Sequence, residues 1–214
     1  TGDKKLQAEL LVLEKIRALL EQALPARRVG LTEDEEVLIR DLNLLTLKPI
    51  LYVANVGEDE VAASEDNTYV KLLREYAGSE GAETVIISAK LEAEIAELAD
   101  QEAKDFLLEL GLSESGLDKL IKSSYKLLGL ITFLTAGPQE TRAWTIKKGT
   151  KAPQAAGKIH SDIERGFIRA ETVSFTDLLE SSSYNAAREK GLVRLEGKDY
   201  IMQDGDLVNF RFNV

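Results

Sequence analysis

Pro49-Ile50-Leu51-Tyr52-Val53-Ala54-Asn55-Val56-Gly57-Glu58, followed about thirty residues later by Val85-Ile86-Ile87-Ser88-Ala89-Lys90, decides the fold. Each segment is a short apolar run that stops abruptly at small or polar residues, as a strand buried in a parallel sheet does. Ligands of open parallel sheets sit beyond the carboxyl ends of the strands. Asn55 and Glu58 after one strand and Ser88 and Ala89 after the next are therefore expected to face one shallow crevice. Two ordinary buried strands with polar caps explain this stretch equally well when it is taken alone.

The residue types at that edge suit a nucleotide base. An Asn with a carboxylate three residues later, then Ser-Ala-Lys one βα unit on, is how P-loop nucleotidases hold one. The Asn amide ties the two loops together, the carboxylate faces the base edge, and the backbone N–H after Ser88 reaches a ring carbonyl or nitrogen. Around this pair the order is strand (49–54), helix (about 67–78, closed by Gly78 or Gly81), strand (83–88), then helices at roughly 90–98, 101–110 and 115–128. Strands alternating with helices predict a parallel sheet with right-handed crossovers. Two strands alone lack the neighbours and covering helices that such a sheet needs, so further strands are expected outside these residues. No Gly-x-x-x-x-Gly-Lys-Ser/Thr loop occurs in the 214 residues, which places a phosphate site outside them as well.

Upstream, residues 4–24 set Leu6, Leu10, Leu13, Leu20 and Leu24 on one helical face, broadened by Ala18, Leu19 and Ala23. Such a helix normally pairs with another, and Thr1-Gly2-Asp3 reads as the cut end of a longer element. Thr32-Glu33-Asp34-Glu35 reads as a capping box, with Thr32 as N-cap and Glu35 as its reciprocal partner, opening a helix to about Leu45.

From Ile131 the pattern shifts to short, turn-separated apolar runs: 131–134, 142–146, 168–173, 192–195, 200–202 and 207–212. One helix stands out among them. It is capped by Thr150, tolerates Pro153 in its first turn, and aligns Ala152, Ala156, Ile159, Ile163 and Phe167 on one face. Strand, strand, helix, strands is the order of a small β-grasp domain, with turns at Gly149, Gly197-Lys198 and Asp204-Gly205-Asp206.

Composition sets the bounds. The chain is 44% hydrophobic and can bury one sizeable core or two smaller ones. It has no cysteine and one histidine, which excludes disulfides, thiolate zinc sites and a Cys nucleophile. No apolar run approaches the roughly 20 residues needed to span a bilayer, and a cytoplasmic protein is expected. The net charge of −10 is uneven: residues 1–131 hold 15 Lys and Arg against 26 Asp and Glu, residues 132–214 hold 12 against 11. Within the latter, residues 142–169 carry seven basic residues against two acidic ones. Such an excess suits a polyanion, though a solvated face is the commoner reason for one.

Phe133-Leu134-Thr135-Ala136-Gly137, Arg142-Ala143-Trp144-Thr145, Gly149-Thr150-Lys151-Ala152-Pro153, Ile159-His160-Ser161-Asp162, Gly166-Phe167-Ile168-Arg169-Ala170-Glu171 and Asp204-Gly205-Asp206 together resemble the TGS domain of the YchF (Obg-like ATPase) family of P-loop nucleotidases. Asn55-Val56-Gly57-Glu58 is similar to that family's Asn-x-x-Glu base motif, and Ser88-Ala89-Lys90 to the fifth motif of GTPases. Residues 4–24 resemble the returning arm of its coiled-coil insertion. The resemblance implies α/β plus α+β architecture: a helical arm and linking helix (1–45), the carboxy-terminal part of a nucleotide-binding sheet (46–130), and a β-grasp, ubiquitin-like TGS domain (131–214).

It also implies a cytoplasmic nucleotidase that hydrolyses ATP, and GTP less well, with Mg²⁺, with K⁺ as a further ion, and in association with ribosomes or their RNA. Neither membrane nor DNA is an expected partner. The amino-terminal P-loop half lies outside these residues, so no catalytic or metal-ligating residue is assigned here and the chain alone is expected to be inactive. The base-site candidates are Asn55, Val56, Glu58, Ser88, Ala89 and Lys90. Relative to the Asn-Lys-x-Asp of ordinary GTPases, Glu58 has a longer arm that can turn away, and Val56 leaves the base face without a lysine stem. Both changes loosen selection of guanine, whose N1–H and N2–H are donors that adenine lacks at that edge.

A second class, an RNA- or ribosome-binding regulatory module without its own catalysis, rests on Arg142, Lys147, Lys148 and Lys151. Lys151 and Lys158 serve phosphate contact or solubility with equal ease. His160 fits a packed helix residue better than a catalyst, because no nucleophile accompanies it. Trp144 and Phe167 fit a β-grasp core better than a stacking platform for RNA.

Overall fold

A computed structural model describes residues 4–137 and 140–213, so Thr1-Gly2-Asp3 lies outside the described residues. The fold is mixed α/β, with a two-stranded and a five-stranded sheet, and divides into two compact units, Thr1–Ser124 and Tyr125–Val214.

In the first unit, α1 (Lys4–Leu20) packs Val12 and Ile16 against Ala26 and against Ile39 of α2 (Glu33–Ile39). The stripe expected on α1 is thus displaced: Leu6, Leu10 and Leu20 are exposed, and of the five expected leucines only Leu13 joins this core within the helix. The helix also ends four residues early. Ala23 takes φ +58, and the Leu24 N–H reaches back to the Leu19 carbonyl at 3.0 Å, closing the end as a Schellman-type turn. The capping box is formed: Thr32 Oγ1 accepts from Glu35 N–H at 3.3 Å and Glu35 Oε2 from Thr32 N–H at 3.0 Å. α2 does not run to Leu45. It tightens into a 3₁₀ turn, Arg40–Leu42, which Asn43 closes at φ +46.

β1 (Leu51–Asn55) pairs in parallel with β2 (Glu83–Ile87) over its full length, from Leu51 opposite Glu83 to Asn55 opposite Ile87. Between them runs α3 (Thr68–Ser79), whose N-cap Asn67 accepts from the N–H groups of Tyr69 and Val70, and Gly81 at φ +68 turns the chain into β2. α4 (Ala89–Ala96), α5 (Asp100–Glu109) and α6 (Gly116–Leu127) follow. The carboxylate of Glu92 on α4 caps α6 by accepting from Gly116 N–H at 2.7 Å and Leu117 N–H at 3.1 Å. A side chain at Gly116 would meet Glu92 Oε1 at 2.8 Å and Ile87 Cγ2 at 2.9 Å, so the close approach requires glycine.

The second unit is built on β3 (Leu130–Ala136), β4 (Thr141–Lys147), β5 (Phe167–Ser174), β6 (Arg194–Glu196) and β7 (Asp206–Phe212), in spatial order β4-β3-β7-β5-β6. β3 and β4 form an antiparallel hairpin, β5 lies antiparallel to both β7 and β6, and β3 meets β7 in parallel at Leu134 and Leu207. Phe133, Phe167, Ala170, Met202 and Phe210 of this sheet region bury against Ala152, Ala155 and Ala156.

Here four expectations change. The single helix from Thr150 to Phe167 is two: α7 (Ala152–Ile159) and α8 (Ser161–Arg165), separated at His160, which is extended at φ −160. The His160 Nδ1 accepts from Asp162 N–H at 3.2 Å and so caps α8. Thr150 does not cap α7, because its hydroxyl donates to the Lys147 carbonyl at 2.6 Å and extended Lys151 bridges to Ile201. Two short helices absent from the reading, α9 (Phe175–Ser181) and α10 (Tyr184–Glu189), fill the stretch after β5, capped by Ser174 and Ser183. The run at 200–202 supplies only that isolated bridge instead of a strand.

Candidate functional site at the carboxyl edge of the parallel pair

β1 and β2 end side by side, and the residues after them converge. Asn55 closes β1 with its side chain directed across the edge, where Oδ1 accepts from the backbone N–H of Ala89 at 2.9 Å. The Val56 N–H donates to the Ile87 carbonyl at 2.9 Å and continues the ladder one residue past the strand. The Ala89 donor that the sequence offers to a ring is therefore engaged by Asn55 in the free protein. Ser88 is buried, and its hydroxyl faces the first turn of α4, 3.5 Å from the Leu91 N–H that it caps.

Glu58 sits at the start of a 3₁₀ turn, Glu58–Glu60, and its Oε1 accepts from the Lys90 ammonium at 2.8 Å. The hydrogen bond and charge of Glu58 raise the Lys90 pKa above the usual lysine value. Glu60 stiffens the same loop: one carboxylate oxygen accepts from Gly57 N–H at 3.2 Å and the other from Asn67 Nδ2 at 3.0 Å. All six candidate residues thus lie on two adjoining loops or at their borders, where Asn55 closes β1 and Ala89 and Lys90 open α4. Asn55 with Ala89 and Glu58 with Lys90 form two cross-links between those loops.

The basic candidates lie in the second unit and do not form one uniform strip. The Arg142 guanidinium covers the Trp144 ring at 4.3 Å from its centroid and lies 3.7 Å from Glu140. Lys151 donates to Asp199 at 2.7 Å. Lys147 and Lys148 are exposed. Trp144 stacks on Phe133 at 6.4 Å and donates to Thr135 Oγ1 at 2.9 Å, while Phe167 is buried. His160, expected to pack, is exposed and lies 3.4 Å from Asp162.

Three polar nodes escape sequence reasoning: those at Glu80 and Glu171 join partners 28 to 53 residues apart, and that at Asp206 joins a tyrosine six positions away that no motif marks. Glu80 accepts from Tyr52 Oη at 2.6 Å and from Arg27 Nη2 at 3.0 Å. The Tyr52 hydroxyl is pushed up to about 12, first by that hydrogen bond, and the Glu80 carboxylate is lowered by the same partner and then by Arg27. Buried Glu171 receives two bonds from Arg211, at 3.2 and 3.1 Å, which hold it below the usual carboxylate range against the cost of burial. Buried Asp206 accepts from Tyr200 Oη at 2.8 Å and Gln203 N–H at 2.9 Å, and burial followed by that bond moves the Tyr200 hydroxyl to about 12. A cavity of about 650 Å³ in the second unit, lined by Leu178, Leu179, Tyr184, Leu207, Val208 and Asn209 among others, is mainly apolar, and Tyr184 links it to Glu171 through a 3.5 Å hydrogen bond.

Comparisons with known proteins converge. A family profile for the YchF-GTPase C-terminal region, described as a protein of unknown function, matches residues 130–213. A curated relative from Bacillus subtilis (strain 168), named ribosome-binding ATPase YchF, is 58% identical over 212 residues, covering 99% of this chain and 58% of the relative. One of the same name from Escherichia coli O157:H7 is 52% identical over 213 residues, covering 100% and 58%. A solved structure of the Schizosaccharomyces pombe YchF GTPase superposes with a TM-score of 0.83 at 34% identity, covering 96% of this chain and 55% of that one. The chain spans less than two thirds of the length of these relatives. Among the described residues no helix is long and apolar enough to cross a membrane.

Proposed function

The chain belongs to the YchF family, and from that premise we propose that it supplies base recognition and the carboxy-terminal TGS domain of a cytoplasmic, ribosome-associated nucleotidase that hydrolyses ATP, and GTP less well. The observation that carries the reading is the Asn55 bond to Ala89, which ties the two strand ends together at one edge. In this reading the first unit is the carboxy-terminal part of a P-loop nucleotidase sheet with its returning helical arm. The five-stranded second unit is a β-grasp domain. Adenine meets Val56 and the backbone groups flanking Ser88, while Asn55 holds the loops in register.

Hydrolysis needs a phosphate cradle with its lysine and Mg²⁺, and none of the 214 residues forms that loop motif. Among the described residues no group of three or more His, Asp or Glu side chains is placed to hold a metal. In this reading Mg²⁺, with K⁺ as a further ion, acts at the phosphates of the nucleotide, and the chain alone releases no phosphate. Competition titration of the protein expressed from its complete reading frame tests the base site. Asn55→Ala removes one hydrogen bond worth about 0.5–1.5 kcal/mol, so ATP and GTP each weaken by roughly two- to tenfold. Unchanged affinity for both sinks the assignment. A second reading, RNA or ribosome binding through the TGS domain, draws on the exposed Lys147 and Lys148.

A further inference from the structure

Lys90 occupies a position that calls for explanation. It is the second residue of α4, where the partial positive charge of a helix amino terminus disfavours a cation. Its ammonium is nevertheless drawn back over that end, 2.8 Å from Glu58 Oε1 and 4.0 Å from Glu94 Oε1. Glu58 follows Asn55 by three residues, and Lys90 follows Ala89, the partner of Asn55. The ion pair therefore spans the same two loops as the Asn55 bond and borders the same edge.

We propose that Lys90 is a specificity-determining residue: by occupying the Glu58 carboxylate, it withholds from guanine the acceptor that would otherwise take its N1–H and N2–H. The inference rests on the base-site reading above. Glu58 is the carboxylate that the motif places nearest the base edge; guanine's two donors pair fully only with both of its oxygens, and Lys90 already holds Oε1, so that two-oxygen pairing must displace the ammonium or share the oxygen with it. Adenine presents no such donors at that edge and loses nothing. Selection against guanine then depends on an internal competitor on the next loop, in addition to the length of the Glu58 arm. The side chains are 67% exposed for Lys90 and 38% for Glu58, so the pair is reachable by a ligand and its removal leaves the core intact.

The test is competition titration of ATP against GTP on the protein expressed from its complete reading frame. Lys90→Met keeps the stem and removes the charge. It is expected to shift the affinity ratio toward GTP by about tenfold, the effect of one charge-assisted hydrogen bond at a partly exposed site. Lys90→Gln is expected to do the same, and Lys90→Arg to keep the parent ratio. Adding Glu58→Gln to Lys90→Met is expected to return the ratio most of the way to the parent value, because the charged two-oxygen acceptor is replaced by an amide with one neutral acceptor and an NH₂ that opposes the guanine donors. An unchanged ratio in Lys90→Met and Lys90→Gln, with Asn55→Ala still weakening both nucleotides, overturns this inference and leaves the base site standing. A shift that survives the added Glu58→Gln in full overturns it as well. Indifference of both nucleotides to Asn55→Ala removes the base-site reading, and the inference falls with it.

Discussion

Gly166 ends α8 at φ −88, where alanine is conformationally allowed, so any penalty for Gly166→Ala must come from contact. A Cβ there would press into the Asn213 carbonyl oxygen, with the carbonyl carbon at 2.8 Å and the nitrogen at 3.1 Å. Those are backbone atoms just beyond β7, and Asn213 N–H donates to the Gly166 carbonyl at 2.9 Å. Relief must pull the chain after β7 away and give up that bond. Overpacking costs about 1–3 kcal/mol and the bond about 1 kcal/mol, but Asn213 is exposed and near the chain end, so a total of roughly 2 kcal/mol is expected. Gly157→Ala is the internal control. Its Cβ would meet only the side chain of Glu164, which is exposed and can swing away, and alanine in α7 returns up to about 1 kcal/mol of helix propensity. Trp144, the single tryptophan, lies in the second unit and reports its urea unfolding by fluorescence. With a denaturant slope of about 1 kcal/mol/M, Gly166→Ala should lower the midpoint by about 2 M and Gly157→Ala should hold or raise it. Equal midpoints for the two variants would refute the contact argument.

Arg211→Met should cost about 1 kcal/mol at neutral pH, a modest figure because the guanidinium is half exposed. Glu171 is lowered on folding, chiefly by its bonds to Arg211. Its stabilisation is therefore present above the unfolded carboxyl value near 4.5 and lost as pH falls through the lower folded value, and the variant should flatten that acid limb in thermal melts. If the exposed lysines of the hairpin meet RNA, Lys147→Glu with Lys148→Glu should weaken filter-retained RNA and reduce the salt slope by about 2, while Lys151→Glu, already paired with Asp199, should change it less. Retention indifferent to salt would demote the hairpin to solvated surface.

The first unit was legible where its signals are local. Apolar runs ending in Asn55 and Ser88, the Thr32 and Glu35 box, and Gly81 after α3 each act within a few residues: β1, α3 and β2 stand within two residues of expectation, and α2 starts where its box places it although it ends six residues early. The α1 stripe misled because five leucines at helical spacing say only that a face is apolar. Which side α2 covers is decided by packing, and it covers Val12 and Ile16. The break at His160 is invisible for a related reason: the apolar spacing of Ala156, Ile159 and Ile163 continues through it, and all three pack on one core while the backbone between them is extended. α9 and α10 carry serine caps that sequence could have revealed, but their seven and six residues are too short for periodicity to speak. At the candidate site, the residue types after the two strands led to the expectation that Asn55 ties the two loops together, and it does so at Ala89, at 2.9 Å. The pairing of Lys90 with Glu58 depends on a separation of 32 residues, which no spacing rule encodes.

The loop after β1 is held at Gly57 and Asn67 by one carboxylate, Glu60, and at Asn55 by Ala89, all contacts within the chain itself. Its ordering entropy is spent when the chain folds, so in the proposed base-binding role a nucleotide has no loop closure to wait for. Association of rival bases should then proceed at nearly the same rate, with any preference appearing as a difference in residence time.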